Sequence, residues 1–536
     1  MSKSRNNKYY DYDDTYDYDD EEYDDYDDYD EFDSYKQKQT ITKKQNTPKS
    51  DNNKKVSNVT PKMANLSISK SETPKVVSTP PSRVLTPKEI MLATQPKYNK
   101  KVKKPGDKEI FNIVIAGHVD AGKSTILGHL LFQCGNVDGK TMHKYKKDSE
   151  KIGKSSFAYA WVLDQTEEER ERGVTIGVGR ASFQTKTKNV IVLDAPGHKD
   201  FVPNMINGAT QADAGILVIN STKGEFETGL NHGGQTREHA ILLGNLGISN
   251  LIVAVNKLDT VNWDENRFLE IVSIMDNFLT NEVGIQNVSF VPISGLNGVN
   301  LTEKPKNHEL NQWYQGNTLL EAIDEIPIPK RDIDKPLRIT VNTVLNSSSN
   351  TVIIGGKIES GFVEKNDKLF IVPLFCQCTV KNINLDDTSS PINGPVFAGE
   401  QIIITLTGNF EENSICNGFI LCRGGSEALI PILKFTAKIN IFHLSTPIIK
   451  GTKCELFAHS LCVPCNIKKL IKSIDNINNV EKEKPRMLTK NSSAIVQIVT
   501  DSPVNLEEFN KCQALGRFSL RASGQTIAAG IIESCN

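Results

Sequence analysis

A multidomain α/β plus all-β chain is predicted: a doubly wound P-loop sheet, two β-barrels after it, and a disordered N-terminal tail before it. Three observations carry this. The apolar run 111–116 leads straight into a glycine-bounded loop, Gly117-His118-Val119-Asp120-Ala121-Gly122-Lys123-Ser124-Thr125, and then into a helix with Ile126, Leu127, Leu130 and Leu131 on one face. Three more apolar runs, 190–193, 251–255 and 288–293, each end in a polar or glycine-containing loop. From Ile333 onward short β-rich runs alternate with turn residues.

The tail is set apart by charge. The 536-residue chain has room for three or four domains, and its net charge of -2 hides an uneven distribution. Residues 1–33 hold fifteen Asp or Glu and eight Tyr, whereas 34–108 hold eighteen Lys or Arg against four acids. Neither stretch has a helical or strand apolar period. Such like-charge blocks bury too little apolar surface to offset the entropy of ordering, so 1–108 is expected to be largely disordered. The acidic run reads as a solubilising, self-repelling tail, as an arm for a basic partner, or as a tyrosine-phosphorylation target. Met1 is followed by polar and charged residues rather than a signal peptide, and no window has the apolar length of a membrane span. Ten cysteines without a regular framework point to free thiols in a reducing, cytoplasmic setting.

The nucleotide-binding segment is expected over 109–332. Its first loop matches the phosphate-binding pattern G-x-x-x-x-G-K-[ST] in the required context of strand, loop and helix. Gly117 and Gly122 let the backbone curl so that N–H groups point at phosphate oxygens, and the helix start adds its positive end. Lys123 supplies a cation to the β- and γ-phosphates. The Ser124 hydroxyl is a hard oxygen ligand suited to Mg²⁺. The second run ends in Asp194-Ala195-Pro196-Gly197-His198, where a strand-end Asp can hold Mg²⁺ through water. The Gly197 N–H can reach the γ-phosphate, and His198 is placed to orient an attacking water, which makes it the candidate catalytic residue.

The third run ends in Asn256-Lys257-Leu258-Asp259. A carboxylate there can accept two N–H bonds from the guanine edge. Adenine has no such donor pair and would leave a buried charge unpaired. The fourth run delivers Ser294-Gly295-Leu296, whose backbone N–H can meet the guanine carbonyl oxygen. Four loops after four strands place the ligand at the strands' carboxyl ends and favour GTP over ATP. Between the first two motifs, Glu167-Glu168-Glu169-Arg170-Glu171-Arg172-Gly173-Val174-Thr175-Ile176 places Thr175 as the second hydroxyl ligand for Mg²⁺ in the GTP-bound state.

Barrels are expected over 333–427 and 428–536. Runs at 337–344, 352–358, 368–372, 379–383 and 401–406 are separated by turns such as Gly355-Gly356, Glu364-Lys365-Asn366-Asp367 and Ala398-Gly399-Glu400. Runs at 433–442, 494–499 and 516–520 begin the second set. Cys454, His459, Cys462 and Cys465 could gather around zinc, or the stretch could be apolar strand with a turn at Pro464.

These motifs suggest a family. GHVDAGKST at 117–125, DAPGHKDF at 194–201 and GGQTREH at 233–239 resemble the elongation-factor-one-alpha group of translational GTPases, from about residue 109 to the C-terminus. Within that group SFAYAWVLDQTEEERERGVTIGVG at 156–179, Thr141–Tyr145, Val261-Asn262-Trp263 and 515–530 are similar to the HBS-type ribosome-rescue GTPases, partners of Pelota. The tail lacks a clear small helical domain that some relatives carry. The resemblance implies GTP and GDP binding with Mg²⁺ on Ser124 and Thr175, Asp194 behind them, and base selection by Asn256, Lys257 and Asp259 with Ser294. It implies water positioning by His198, hydrolysis on the ribosome with an RNA contact near the GTPase site, a Pelota-type release-factor-like partner, and no membrane. Rival readings are delivery of aminoacyl-tRNA, a class-two release factor GTPase, and a nucleotide-gated adaptor.

Overall fold

A computed structural model describes residues 85–535 apart from breaks at 97, 99–107, 152, 165, 173–174, 232, 386–390, 393, 412, 443–445, 476–479 and 491. The tail expected before residue 85 lies outside the described residues. Within the remainder of 1–108, the expectation of disorder needs correction. A helix spans Pro87–Ala93, capped by Thr86, which exchanges hydrogen bonds with Glu89, and begun by a proline whose missing N–H costs nothing at that position. Met91 is fully buried with Phe370, Val372, Ile420, Cys422, Leu429, Cys512 and Leu515. The Tyr98 hydroxyl donates to Glu427 Oε1 at 2.5 Å, and the Arg423 guanidinium lies 4.2 Å above its ring. The charged composition of the whole tail masked a local capping box and two apolar anchors.

The nucleotide-binding segment is built on six strands: β1 (Glu109–Gly117), β2 (Gly179–Gln184), β3 (Lys188–Asp194), β4 (Ala214–Asn220), β5 (Asn250–Asn256) and β6 (Asn287–Pro292). Their spatial order is β2-β3-β1-β4-β5-β6. β1 lies parallel between β3 and β4, and β5 and β6 continue the parallel run, while β2 is antiparallel to β3 at the edge. Two clusters of buried side chains cover the two faces, as near-continuous Val, Ile and Leu runs in parallel strands require. Successive connections from β1 run to opposite sides, so a crevice opens at the carboxyl ends of β1 and β3.

The first barrel closes in the order Lys368–Val372, Cys376–Leu385, Gln401–Gly408, Thr351–Ser360, Arg338–Ser347, Ile420–Cys422. The second is a seven-stranded sheet that closes through an extra pairing of Lys453–Ala458 with Leu461–Asp475. Pro464 is not the turn of that hairpin. It lies within the strand opposite Glu455, while pairing of the same strand with Ser492–Val504 begins only at Cys465, so the missing N–H faces no second partner. The turn falls at His459-Ser460. Cys454 and Cys465 face one another with Sγ atoms 3.4 Å apart, Cys462 is exposed opposite Phe457, and His459 sits at the tip. Among the described residues no group of three or more His, Cys, Asp or Glu converges as metal ligands would.

Polar contacts join the barrels to the sheet domain. Asn112 on β1 donates to the Gly399 carbonyl and accepts from Gln401, both at 2.9 Å. Arg331, at the end of the sheet domain, forks onto Asp213 at 2.6 and 2.7 Å beside Gly399 of the first barrel. Arg521 of the second barrel donates to Glu238 on helix Gln235–Leu246 at 3.1 Å. No helix among the described residues is long and apolar enough to cross a membrane.

Candidate functional site

The four loops converge on a cavity of about 380 Å³ at the carboxyl ends of β1, β3, β5 and β6, within the range of small-molecule sites. Its wall includes Val119, Asp120, Gly122, Lys123, Ser124, Thr125, Thr175, Gly197, Asn256, Lys257, Asp259, Ser294 and Leu296, all singled out from sequence. Gly117, His118, Ala121, Asp194 and Gly295, also singled out from sequence, do not line it. Gly117 (φ +147°) and Gly122 (φ +91°) both adopt backbone forbidden to most side chains. A Cβ on Gly117 would meet the Val218 carbonyl at 2.4 Å, and one on Gly122 the Asn256 amide at 2.5 Å.

Lys123 is buried and donates to the Gly117 and His118 carbonyls at 3.1 and 2.8 Å. Burial pulls its ammonium down to about 8. The Ser124 hydroxyl donates to Asp194 Oδ2 at 2.5 Å and lies 3.1 Å from the Thr175 hydroxyl. Burial pushes the Asp194 carboxyl up to about 6, and its Oδ1 is buried without a partner among the described residues. Two hydroxyls facing each other, a buried carboxylate with one unused oxygen, and a cavity beside them fit a hard divalent cation with oxygen ligands. Asn256 ties two loops: its Nδ2 donates to the Ala121 carbonyl and its Oδ1 accepts from the Gly295 N–H, both at 2.8 Å. Lys257 takes positive φ, which turns the chain so that Asp259 faces the cavity.

His198 is placed differently. Its side chain is 37% exposed, its Nδ1 accepts from the Asp200 N–H at 3.3 Å, and the cavity wall includes neighbouring Gly197 but not His198. A Cβ on Gly197 would come within 2.4 Å of Lys123 Nζ and 3.1 Å of the Gly117 carbonyl and Val119 nitrogen, so a side chain there would move the lysine end.

Sequence reasoning missed several members. Ser156, Phe157, Ala160, Asp164 and Thr260 also line the cavity. Burial, then the Asp194 charge, push Asp164 up to about 7. Glu169 accepts from the N–H groups of Ile176 and Gly177 at 3.0 and 3.2 Å and so holds the backbone beside Thr175. On the far side, Gln235 accepts from the Val119 N–H at 3.2 Å and His239 from the Gly117 N–H at 3.1 Å. A carboxylate directly after the apolar run 160–163 was the available signal for Asp164. Nothing local to Gln235 or His239 announces their contact with a loop over a hundred residues away.

Comparison with known proteins gives this geometry a family. The profile of the Elongation factor Tu GTP binding domain matches residues 108–328, and that of the GTP-eEF1A C-terminal domain-like family matches 434–533. Elongation factor 1-alpha of Desulfurococcus mucosus is 41% identical over 425 residues, covering 78% of this chain and 95% of that protein. The chain belongs to the elongation factor 1-alpha group of translational GTPases. It is similar to the HBS-type members: Protein HBS1 of Drosophila melanogaster is 44% identical over 429 residues, covering 79% of this chain and 63% of that longer protein. The S. cerevisiae Ski7 GTPase-like domain, solved with GTP, shares the fold with a TM-score of 0.68 at 20% identity, over 80% of this chain and 98% of that one. As a member of the elongation factor 1-alpha group the chain is a GTP-hydrolysing enzyme of translation that binds guanine nucleotides.

Proposed function

We propose that this GTPase carries a Pelota-type protein to stalled ribosomes and leaves after hydrolysing GTP to GDP and phosphate, in the cytoplasm. The observation that carries the reading is the 44% identity to an HBS1 protein, together with the HBS-like segment 156–179, which supplies Ser156, Phe157, Ala160, Asp164 and Thr175 to the cavity wall. In this reading Lys123 and the loop amides bind the β- and γ-phosphates. Ser124 and Thr175 would ligate magnesium, with Asp194 behind them. The bound ion would neutralise charge developing on the phosphate oxygens. Asp259 accepts the guanine N–H pair, Asn256 and Lys257 hold its loop, and the Ser294-Gly295-Leu296 backbone meets the base carbonyl.

His198 orients the attacking water. With its ring against Asp200 and outside the cavity wall, it has to swing inward before it can do so. Positioning dominates catalysis of this type, so intrinsic turnover is slow and contact with ribosomal RNA near the site accelerates it. A pull-down from ribosome-containing extract with His198→Ala and GTP tests the reading. Co-purification of a Pelota-type protein supports it. Co-purification of aminoacyl-tRNA supports elongation delivery, and that of a stop-codon release factor supports a termination role. Rescue of stalled ribosomes by His198→Ala with GTP binding intact would favour the adaptor.

A further inference from the structure

Helix Val202–Thr210 follows the loop that holds Gly197 and His198 through a single 3-10 turn, Lys199–Phe201. It carries two asparagines three residues apart, hence on one face. Asn204 Nδ2 donates to the Ile176 carbonyl at 2.8 Å, immediately after Thr175. Asn207 Oδ1 lies 2.7 Å from the Ser460 hydroxyl of the second barrel, and the same hydroxyl lies 2.6 Å from Asn342 Oδ1 of the first barrel. One serine thus touches the sheet domain and both barrels. Three residues before it, Phe457 enters the buried cluster of the sheet domain that includes Met205 and Ile206 of the same helix.

The turn that presents Ser460 is strained. His459 has φ +40° and is 5% exposed, with its ring beside the Asn505 backbone and no well-formed hydrogen bond to either ring nitrogen among the described residues. Such a turn persists only where its surroundings over-determine it, and strain of this kind collects at switching elements. Its surroundings here are the helix and the first barrel. Ser460 has a single proton and two amide neighbours, so its contact chooses between them.

We propose that Ser460 is a positioning residue for GTP binding and hydrolysis. Through Asn207, and Asn204 on the same helix, it holds the Ile176 carbonyl and with it the Thr175 hydroxyl facing Ser124. Glu169 accepts from the Gly177 N–H of the same peptide and from the Ile176 N–H before it, so Ile176 is clamped between Glu169 and Asn204, and the Asn204 contact continues along its helix to the barrels. The Thr175 arrangement serves the terminal phosphate and its ion, so loss of the Ser460 contact weakens GTP binding and spares GDP. This rests on the reading of Thr175 as an ion ligand.

The test compares Ser460→Ala, Ser460→Thr, Asn207→Ala, Asn207→Ala/Ser460→Ala and Thr175→Ala in the full chain. GTP and GDP affinities, ribosome-stimulated kcat and KM, and melting temperature are measured. Ser460→Ala is expected to lower GTP affinity about two- to tenfold with GDP affinity unchanged, the scale of one hydrogen bond. Ser460→Thr restores the wild-type ratio, and the double variant loses no more than either single one. A Ser460→Ala protein that melts lower yet keeps the wild-type GTP-to-GDP ratio, or a Thr variant that restores nothing, overturns the inference. If Thr175→Ala also leaves that ratio unchanged, the ion-ligand reading falls with it. If Thr175→Ala changes the ratio and Ser460→Ala does not, only the Ser460 inference falls.

Discussion

Asp259 is the residue on which base choice turns. It lines the cavity beside Lys257, and its loop is positioned by Asn256, which clasps the phosphate loop and the Gly295 loop together. Asp259→Asn replaces two-fold acceptance with one acceptor and one donor. GTP affinity is expected to fall about 10- to 100-fold, the scale of a lost charged hydrogen bond, while affinity for xanthosine triphosphate rises. Competition between the two nucleotides reads this directly, and an unchanged ratio would contradict the assignment. Gly197 makes a second residue-scale prediction. A methyl group there would displace Lys123 from the two carbonyls that hold it. Gly197→Ala is therefore expected to reduce GTP affinity or hydrolysis at least about tenfold with little change in melting temperature, because the site rather than the core is disturbed.

At the scale of elements, what could be read in advance follows from what is local. The phosphate loop, the Asp-x-x-Gly and Asn-Lys-x-Asp turns, and the strands before them declare themselves because positive-φ glycines and both-face burial impose residue types over a few adjacent positions. Gln235 and His239 stand in the family motif at 233–239, but their contacts with the phosphate loop run across the fold, and no adjacent pattern announces them. Helix Pro87–Ala93 lies between these cases. Its capping box stood in Thr86-Pro87-Lys88-Glu89, but a reading by charge blocks averaged it away. Pro464 misled in the opposite direction, since a proline reads as a turn unless the unneeded ladder partner is known. The helix carries its own prediction. Met91→Ala removes a fully buried side chain from the floor shared by both barrels and is expected to cost about 2–5 kcal/mol in chemical denaturation, whereas the same change at exposed Leu92 costs little.

The described residues form a sheet domain and two barrels joined through polar contacts, and their stability should respond to pH through buried titratable groups. Burial holds His459 down to about 4 and His239 down to about 3. An unfolded histidine titrates near 6.5, so below that pH the unfolded chain takes up protons that the folded chain refuses. Each histidine therefore withdraws stability as pH falls from about 6.5 toward its folded value. Asp194 and Asp164, pushed up by burial, act in the opposite sense, so the effect is isolated by difference. Relative to His459→Gln, the wild type is expected to lose about 2 kcal/mol between pH 7.5 and pH 5 in urea denaturation. The central claim concerns what the assembled machine delivers, and one measurement meets it most directly: GTP turnover by the purified chain on ribosomes with an empty A site, with a Pelota-type protein or with aminoacyl-tRNA. Turnover is expected to rise steeply with the Pelota-type protein and to stay near the ribosome-alone rate with aminoacyl-tRNA. Stimulation by aminoacyl-tRNA alone would contradict the rescue assignment.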